Sequence, residues 1–193
     1  MLMNSPWGGL SMHIETSKLD EIDLGFGEYT CNVGAHFAVL YSSPWERDEI
    51  LLGFLGQGVR AGDLELCCPG ELTFDELLGK LAPRCPSCTT VIGDPDNFEI
   101  SSARQHYYPE GRFNPNVMDT RLATFFKKSQ RKGPRTIRVT TEMTWALEAV
   151  EGIEDLMVHE ARLNQFVSDK PWVNICLWDV SKFSGDMVMH ILR

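Results

Sequence analysis

The chain has 193 residues, enough for one large domain with a full hydrophobic core. Apolar residues make up 43% and charged residues 23%, a globular composition that excludes general disorder. The formal net charge of −9 repels phosphate backbones and anionic headgroups, which argues against direct contact with nucleic acid or membrane.

No apolar run approaches the roughly 20 residues needed to span a bilayer. The N-terminus lacks the basic-then-apolar pattern of a secretory signal. The expectation is a cytoplasmic chain whose six cysteines are mostly reduced, without a disulfide framework.

Residues 1 to about 30 read as a variable arm interrupted by Gly8, Gly9, Gly25 and Gly27. His36 to Tyr41 is a buried-strand pattern. Ser43, Pro44 and Glu46 then supply an N-cap, a first-turn proline and a capping-box glutamate. Ile50, Leu51, Phe54, Leu55 and Val59 recur on one helical face, and Gly62 ends it. Leu64 to Cys68 is a second strand. Thr73 and Glu76 form another capping box, for a helix that stops near Pro83. Cys85 to Gly111 is less regular, with strands expected around Val91 and from Phe98 to Ser101.

Asn114 and Pro115 open the next helix, striped by Met118, Leu122, Phe125 and Phe126 and stopped by Gly133. Its basic end (Lys127, Lys128, Arg131, Lys132, Arg135) reads as cations satisfying terminal carbonyls rather than as a nucleic-acid patch. Thr136 to Thr140 is a strand, Ile153 to about Val167 a helix, and Val173 to Trp178 the last strand. A helix from about Ser184 meets the C-terminus without a stop signal, as in a chain that continues past Arg193. Repeated strand–helix alternation predicts an α/β fold with a mostly parallel sheet and helices on both faces. With no Pro-, Gly- or Ser-rich linker, residues 31–193 read as one domain.

The residues able to carry chemistry are few. The first strand-to-helix turn, Tyr41 to Asp48, lacks the glycines and lysine of a Walker A loop, and Glu46 and Asp48 would oppose a triphosphate. Glu142, with Trp145 three residues on, and Asp179 leave strands at the carboxyl end, where parallel sheets bind ligands. Acids placed there also cap the next helix. Glu160 and Asn164 share a helical face, as a ligand pair or a surface hydrogen bond. His36 is either a satisfied core histidine or a ligand-facing one. Cys176 reads as a small core residue. Cys85-Pro86-Ser87-Cys88 is a CxxC that could bind zinc with Cys68 and His106. The strand-like residues after it argue against a redox motif, which should open a helix, and ordinary thiols are the expectation.

Several segments together resemble a known family. They are Gly34-Ala35-His36-Phe37 with Tyr41, the helix Glu49 to Gly62, Tyr108 to Pro115, Arg138 to Trp145, His159 to Asn164, and Cys176-Leu177-Trp178-Asp179. In this order they resemble the MEDS domain, named for methanogens, methylotrophs and a dichloromethane-responsive repressor. The resemblance covers about residues 33 to 193. It implies a prokaryotic, non-enzymatic signalling input domain that senses a small organic molecule. It implies a fold similar to the RecA/KaiC-like ATPases with the phosphate loop lost, and no cofactor. It also implies a fused or separate effector of DNA-binding, histidine-kinase or anti-sigma type, with homo-oligomerisation left open. The positions it marks for the ligand are His36, Tyr41, Glu142, Trp145, Glu160, Asn164 and Asp179. The CxxC is outside the pattern. The competing readings are a degenerate nucleotide-binding domain and a cysteine-based zinc or redox sensor.

The Ser42 to Asp48 turn predicts no ATP hydrolysis and no tight Mg-ATP binding. Calorimetry should give no heat at micromolar nucleotide; micromolar affinity that is abolished by changing this turn would contradict it.

Overall fold

The computed structural model describes residues 21–192. Residues 1–20, most of the stretch read as a variable arm, lie outside the described residues. The rest of that stretch opens an antiparallel hairpin, β1 (Glu21–Asp23) with β2 (Thr30–Asn32). It places Ile22 and Leu24 in the main core.

The principal sheet contains β3 (Ala35–Tyr41), β4 (Leu64–Cys68), β5 (Phe98–Ile100), β6 (Ile137–Glu142) and β7 (Trp172–Asp179). Their order is β3-β7-β6-β4-β5, and every pairing is parallel. Every residue of β4, β6 and β7 is buried, as expected of inner strands covered on both faces.

Side-chain alternation assigns the faces. Phe37, Val39, Cys67, Val173, Ile175 and Leu177 meet helices α1 (Pro44–Ala61) and α2 (Phe74–Leu81) and the short turn α3 (Cys88–Val91). On the other face, Leu64, Leu66, Ile137, Val139 and Trp172 meet α5 (Pro115–Ser129) and α6 (Leu156–Val167). The short α4 (Ala103–Tyr107) and the last helix, α7 (Gly185–Ile191), join a cluster around Trp145 and Trp178 at the carboxyl end of this second face. The connection leaving β4 runs along the first face to β5, and the one leaving β6 runs along the second to β7. The chain therefore changes direction between the carboxyl ends of these neighbouring strands.

The helix boundaries follow local chemistry. Ser43 Oγ accepts from the Glu46 amide, Pro44 begins α1, and Gly62 ends it in the left-handed region. The Thr73–Glu76 capping box opens α2, and Asn114 and Ser184 cap α5 and α7. Lys127 and Lys128 lie in the last turn of α5. The strand expected around Val91 is instead a helical turn. The Thr89 and Thr90 hydroxyls donate back to the carbonyls of Pro86 and Ser87 at 2.7 and 2.8 Å, so side-chain bonds override β-branched propensity.

Charged residues are buried beneath α1. Arg138 donates from Nε to Asp63 Oδ2 at 2.7 Å and from Nη2 to the Asp23 carbonyl at 2.8 Å, tying the hairpin to the sheet. Its guanidinium lies 5.0 Å from the centre of the Phe54 ring. Next to it, Glu65 is fully buried and neither of its carboxylate oxygens has a hydrogen-bond partner. A Cβ at position 58 would stand 1.6 Å from Glu65 Oε1, so only glycine fits in α1 there. Burial pushes the Glu65 carboxyl well above its usual range, against the opposing charge of Arg138.

A raised folded-state pKa means that the unfolded chain releases the proton first. Glu65 therefore contributes stability below the usual carboxylate range and loses it as pH rises toward the folded value. Glu65→Gln should remove this slope, so that its urea midpoint gains on the wild type between about pH 4 and about pH 8. Parallel profiles would show that the carboxylate is ionised and compensated in the fold.

Candidate functional site

The residues marked by the sequence fall into three places. Tyr41 and His36 are five apart on β3 and so face opposite sides of the sheet.

On the α1 side, the Tyr41 hydroxyl donates to Glu142 Oε1 at 2.7 Å, and both residues are buried. Glu142 Oε2 accepts no well-formed hydrogen bond; Arg47 Nη1 stands 4.0 Å away. Burial raises the Glu142 carboxyl, opposed by the Tyr41 hydrogen bond and the Arg47 charge. Burial and the Glu142 carboxylate together push the Tyr41 phenol far up. Arg47 is itself buried and donates from Nε and Nη2 to Asp48 Oδ1 at 3.1 and 2.8 Å, while Lys80 holds Asp48 Oδ2 at 2.8 Å. Gly70 abuts this carboxylate, since a Cβ there would lie 2.5 Å from Glu142 Oε2. The result is a closed polar chain between the ends of β3 and β6 and the start of α1.

At the start of α1, Glu46 Oε2 accepts from the Ser42 amide and hydroxyl at 2.7 and 2.8 Å. The carboxylate thus reaches back over the first turn of α1 to the residue before its N-cap. At the end of β7, Asp179 Oδ1 accepts from the Ser181 amide and hydroxyl at 3.0 and 2.6 Å, which shapes the turn after the strand.

Trp145 is on the other side, buried in an aromatic stack. Its ring centre lies 4.5 Å from Tyr107, 5.5 Å from Tyr108 and 5.6 Å from Phe113. The structure therefore does not bring Trp145 and Glu142 into one pocket, and neither lines any of the cavities described below.

The third place does adjoin a cavity. His36 Nδ1 lies 2.9 Å from Asn164 Oδ1, and His36 Nε2 lies 3.3 Å from Cys176 Sγ and 3.4 Å from Glu160 Oε2. Asn174 Nδ2 donates to the same sulfur at 3.3 Å. His36, Glu160 and Asn164, with Met157, Trp178 and His190, line a cavity of about 370 Å³ between β3, β7, α6 and α7. Burial pushes the Cys176 thiol well up, reinforced by Glu160.

Two other cavities flank the β4–β5 edge. One of about 320 Å³ lies against α4 and α5 and includes His106. One of about 490 Å³ opens at the carboxyl ends of β4 and β5 and includes Gly70 and Gln105.

The zinc set built on the CxxC does not assemble. Cys85 and Cys88 are joined in a disulfide, so neither offers a thiolate to Cys68 or His106. This also corrects the expectations of ordinary thiols and of a strand after the motif, since Cys88 begins α3. Cys31, Cys67, Cys68 and Cys176 are free.

Over residues 35–193 the sequence matches the family described as MEthanogen/methylotroph, DcmR Sensory domain. The chain belongs to the MEDS family. Over 162 residues this MEDS chain is 23% identical to the transcriptional repressor DcmR of Methylorubrum extorquens. The match covers 82% of the chain and 57% of the repressor, so the chain spans little more than half that relative's length. In fold it is similar to a KaiC-like protein of Pyrococcus horikoshii, with a TM-score of 0.59 and 12% identity, covering 86% of this chain and 74% of that one. No helix among the described residues is long and apolar enough to cross a membrane.

Sequence reasoning on the MEDS chain overlooked Arg47, Asn174 and the polar role of Cys176. Asn174 carried a usable signal: a polar amide within a fully buried strand needs a partner, and two residues along a strand is the same face.

Tyr41→Phe should destabilise the domain by about 1–3 kcal/mol, because it removes a donor from a buried carboxylate. Glu142→Gln should cost less, since an amide has no charge to desolvate. Equilibrium unfolding of the two variants checks the order, and a larger loss in Glu142→Gln would show that the ionised carboxylate holds α1 in place.

Proposed function

We propose that this MEDS domain is a non-enzymatic sensor that binds a small, weakly polar organic molecule in the cavity between β3, β7, α6 and α7. One observation carries the reading: His36, Glu160 and Asn164, three of the seven positions marked in the sequence, converge on this one cavity. The cavity combines an apolar wall, Met157 and Trp178, with a few oriented polar groups, the composition of a small-molecule site. A ligand of this size binds with roughly 4–8 kcal/mol, in the millimolar to micromolar range.

The way out to an effector is α7. It contributes His190 and Ile191 to the cavity wall, but none of its residues is fully buried. A helix held this lightly has a docking equilibrium that a ligand touching both it and α6 would shift through differential affinity for the two arrangements. DcmR is a transcriptional repressor, which supports an effector that controls transcription, either fused to the domain or bound by it. A nucleotide-binding reading is disfavoured by the Glu46 carboxylate at the start of α1.

The test is a thermal-shift screen with short alcohols, amines and halomethanes, repeated on Ala161→Trp, which fills the cavity from the exposed side of α6. A hit at about one hundred times its Kd should stabilise the wild type by about 2.7 kcal/mol. The variant should keep its unliganded melting temperature and lose the shift. A shift that survives in the variant would move the site to another cavity, such as the one beside Gly70.

A further inference from the structure

We propose that His36 Nε2, a carboxylate oxygen of Glu160 and Cys176 Sγ form a site for a thiophilic divalent cation of the zinc type. Among the described residues, these three bring their donor atoms within 4.8 Å of one another. The donors come from β3, α6 and β7, two adjacent strands and the helix packed on them. The backbone framework therefore fixes their spacing.

The two donor separations measured from His36 Nε2 suit a tetrahedral ion. Bonds of about 2.0 Å to nitrogen and about 2.3 Å to sulfur set those donors about 3.5 Å apart. His36 Nε2 lies 3.3 Å from Cys176 Sγ and 3.4 Å from Glu160 Oε2. The surrounding bonds aim the ligands as metal-site partners do. Asn164 Oδ1 accepts from His36 Nδ1, which leaves the Nε2 lone pair pointing at the sulfur and the carboxylate. Asn174 Nδ2 donates to the sulfur, which offsets part of the burial that favours the thiol.

A shortage of protons points the same way. With Nδ1–H committed to Asn164, one thiol hydrogen is left among an imidazole lone pair, a carboxylate and a sulfur. Glu160 Oε1 is buried as well, without any hydrogen-bond partner. A cation at the centre satisfies all three donors and displaces the thiol proton to solvent. The mixed nitrogen, oxygen and sulfur set selects zinc-like ions over magnesium or calcium, which take oxygen alone. His36 and Glu160 also line the cavity, so the fourth coordination position lies on the cavity side. The cation site does not depend on an organic ligand being bound.

The experiment uses the full chain without a histidine tag, titrated with cobalt(II) and then with zinc against a chromophoric chelator. One cobalt per chain is expected, with a near-ultraviolet sulfur-to-cobalt charge-transfer band and intense visible bands of tetrahedral geometry. Zinc should displace it. Cys176→Ser should abolish the charge-transfer band. Asn164→Ala, which touches no ion, should weaken zinc binding by about 10–100-fold. A Cys85→Ser/Cys88→Ser double variant should bind as the wild type does. Absence of the charge-transfer band in the folded wild type, or its persistence in Cys176→Ser, would overturn the proposal and leave His36, Glu160 and Cys176 as a polar cluster that holds no metal. Because no organic compound is present, the result stands apart from the outcome of the ligand screen.

Discussion

Burial of β7 on both faces is the constraint from which the rest of the molecule follows. All eight of its residues are buried, and it has a parallel neighbour on each side. A strand in that position must be apolar throughout or find a partner for each polar side chain. Valine, isoleucine and leucine meet the requirement on the α1 face. On the other face Asn174 and Cys176 break it, and the histidine, glutamate and asparagine of β3 and α6 gather where they do. The polar cluster exists because a polar pair was placed inside a strand that has no access to water.

The same sheet keeps two polar systems apart. Tyr41, Glu142 and Arg47 link the ends of β3 and β6 to α1 on one face, and none of the three lines a cavity described above. His36, Glu160 and Asn164 sit on the α6 face beside open volume. Its position suits the first group to holding α1 against the ends of β3 and β6. Adjoining volume suits the second to recognition. Position at the carboxyl end of a strand does not separate the two roles; the neighbouring volume does.

Local chemistry made the helix boundaries legible in the sequence. Ser43-Pro44, Thr73 with Glu76, Asn114-Pro115 and Gly62 all act within a few residues of themselves. The helix α4 carried an equally local signal in Ser102 and Gln105, a capping box that the irregular segment around it concealed. What was hard to read was non-local. Thr89 and Thr90 look like strand residues until their hydroxyls find carbonyls three residues back. Glu65 and Arg138 look like strand-edge charges until α1, with a glycine at 58, is laid over them. The ordered motifs named seven positions, but sorting them into a scaffold and a pocket needed the face of each strand and the course of α6.

The position of β3 bears on how the chain reaches this state. Among the described strands it hydrogen-bonds to β7 alone, with Ala35 opposite Val173 and Tyr41 opposite Asp179. During translation, the first long strand to leave the ribosome has to wait for the last. Until then β3 has no strand to pair with, and such long-range parallel pairings form slowly. Until β7 has formed, the sheet order leaves β3 detached from the β6-β4-β5 strands.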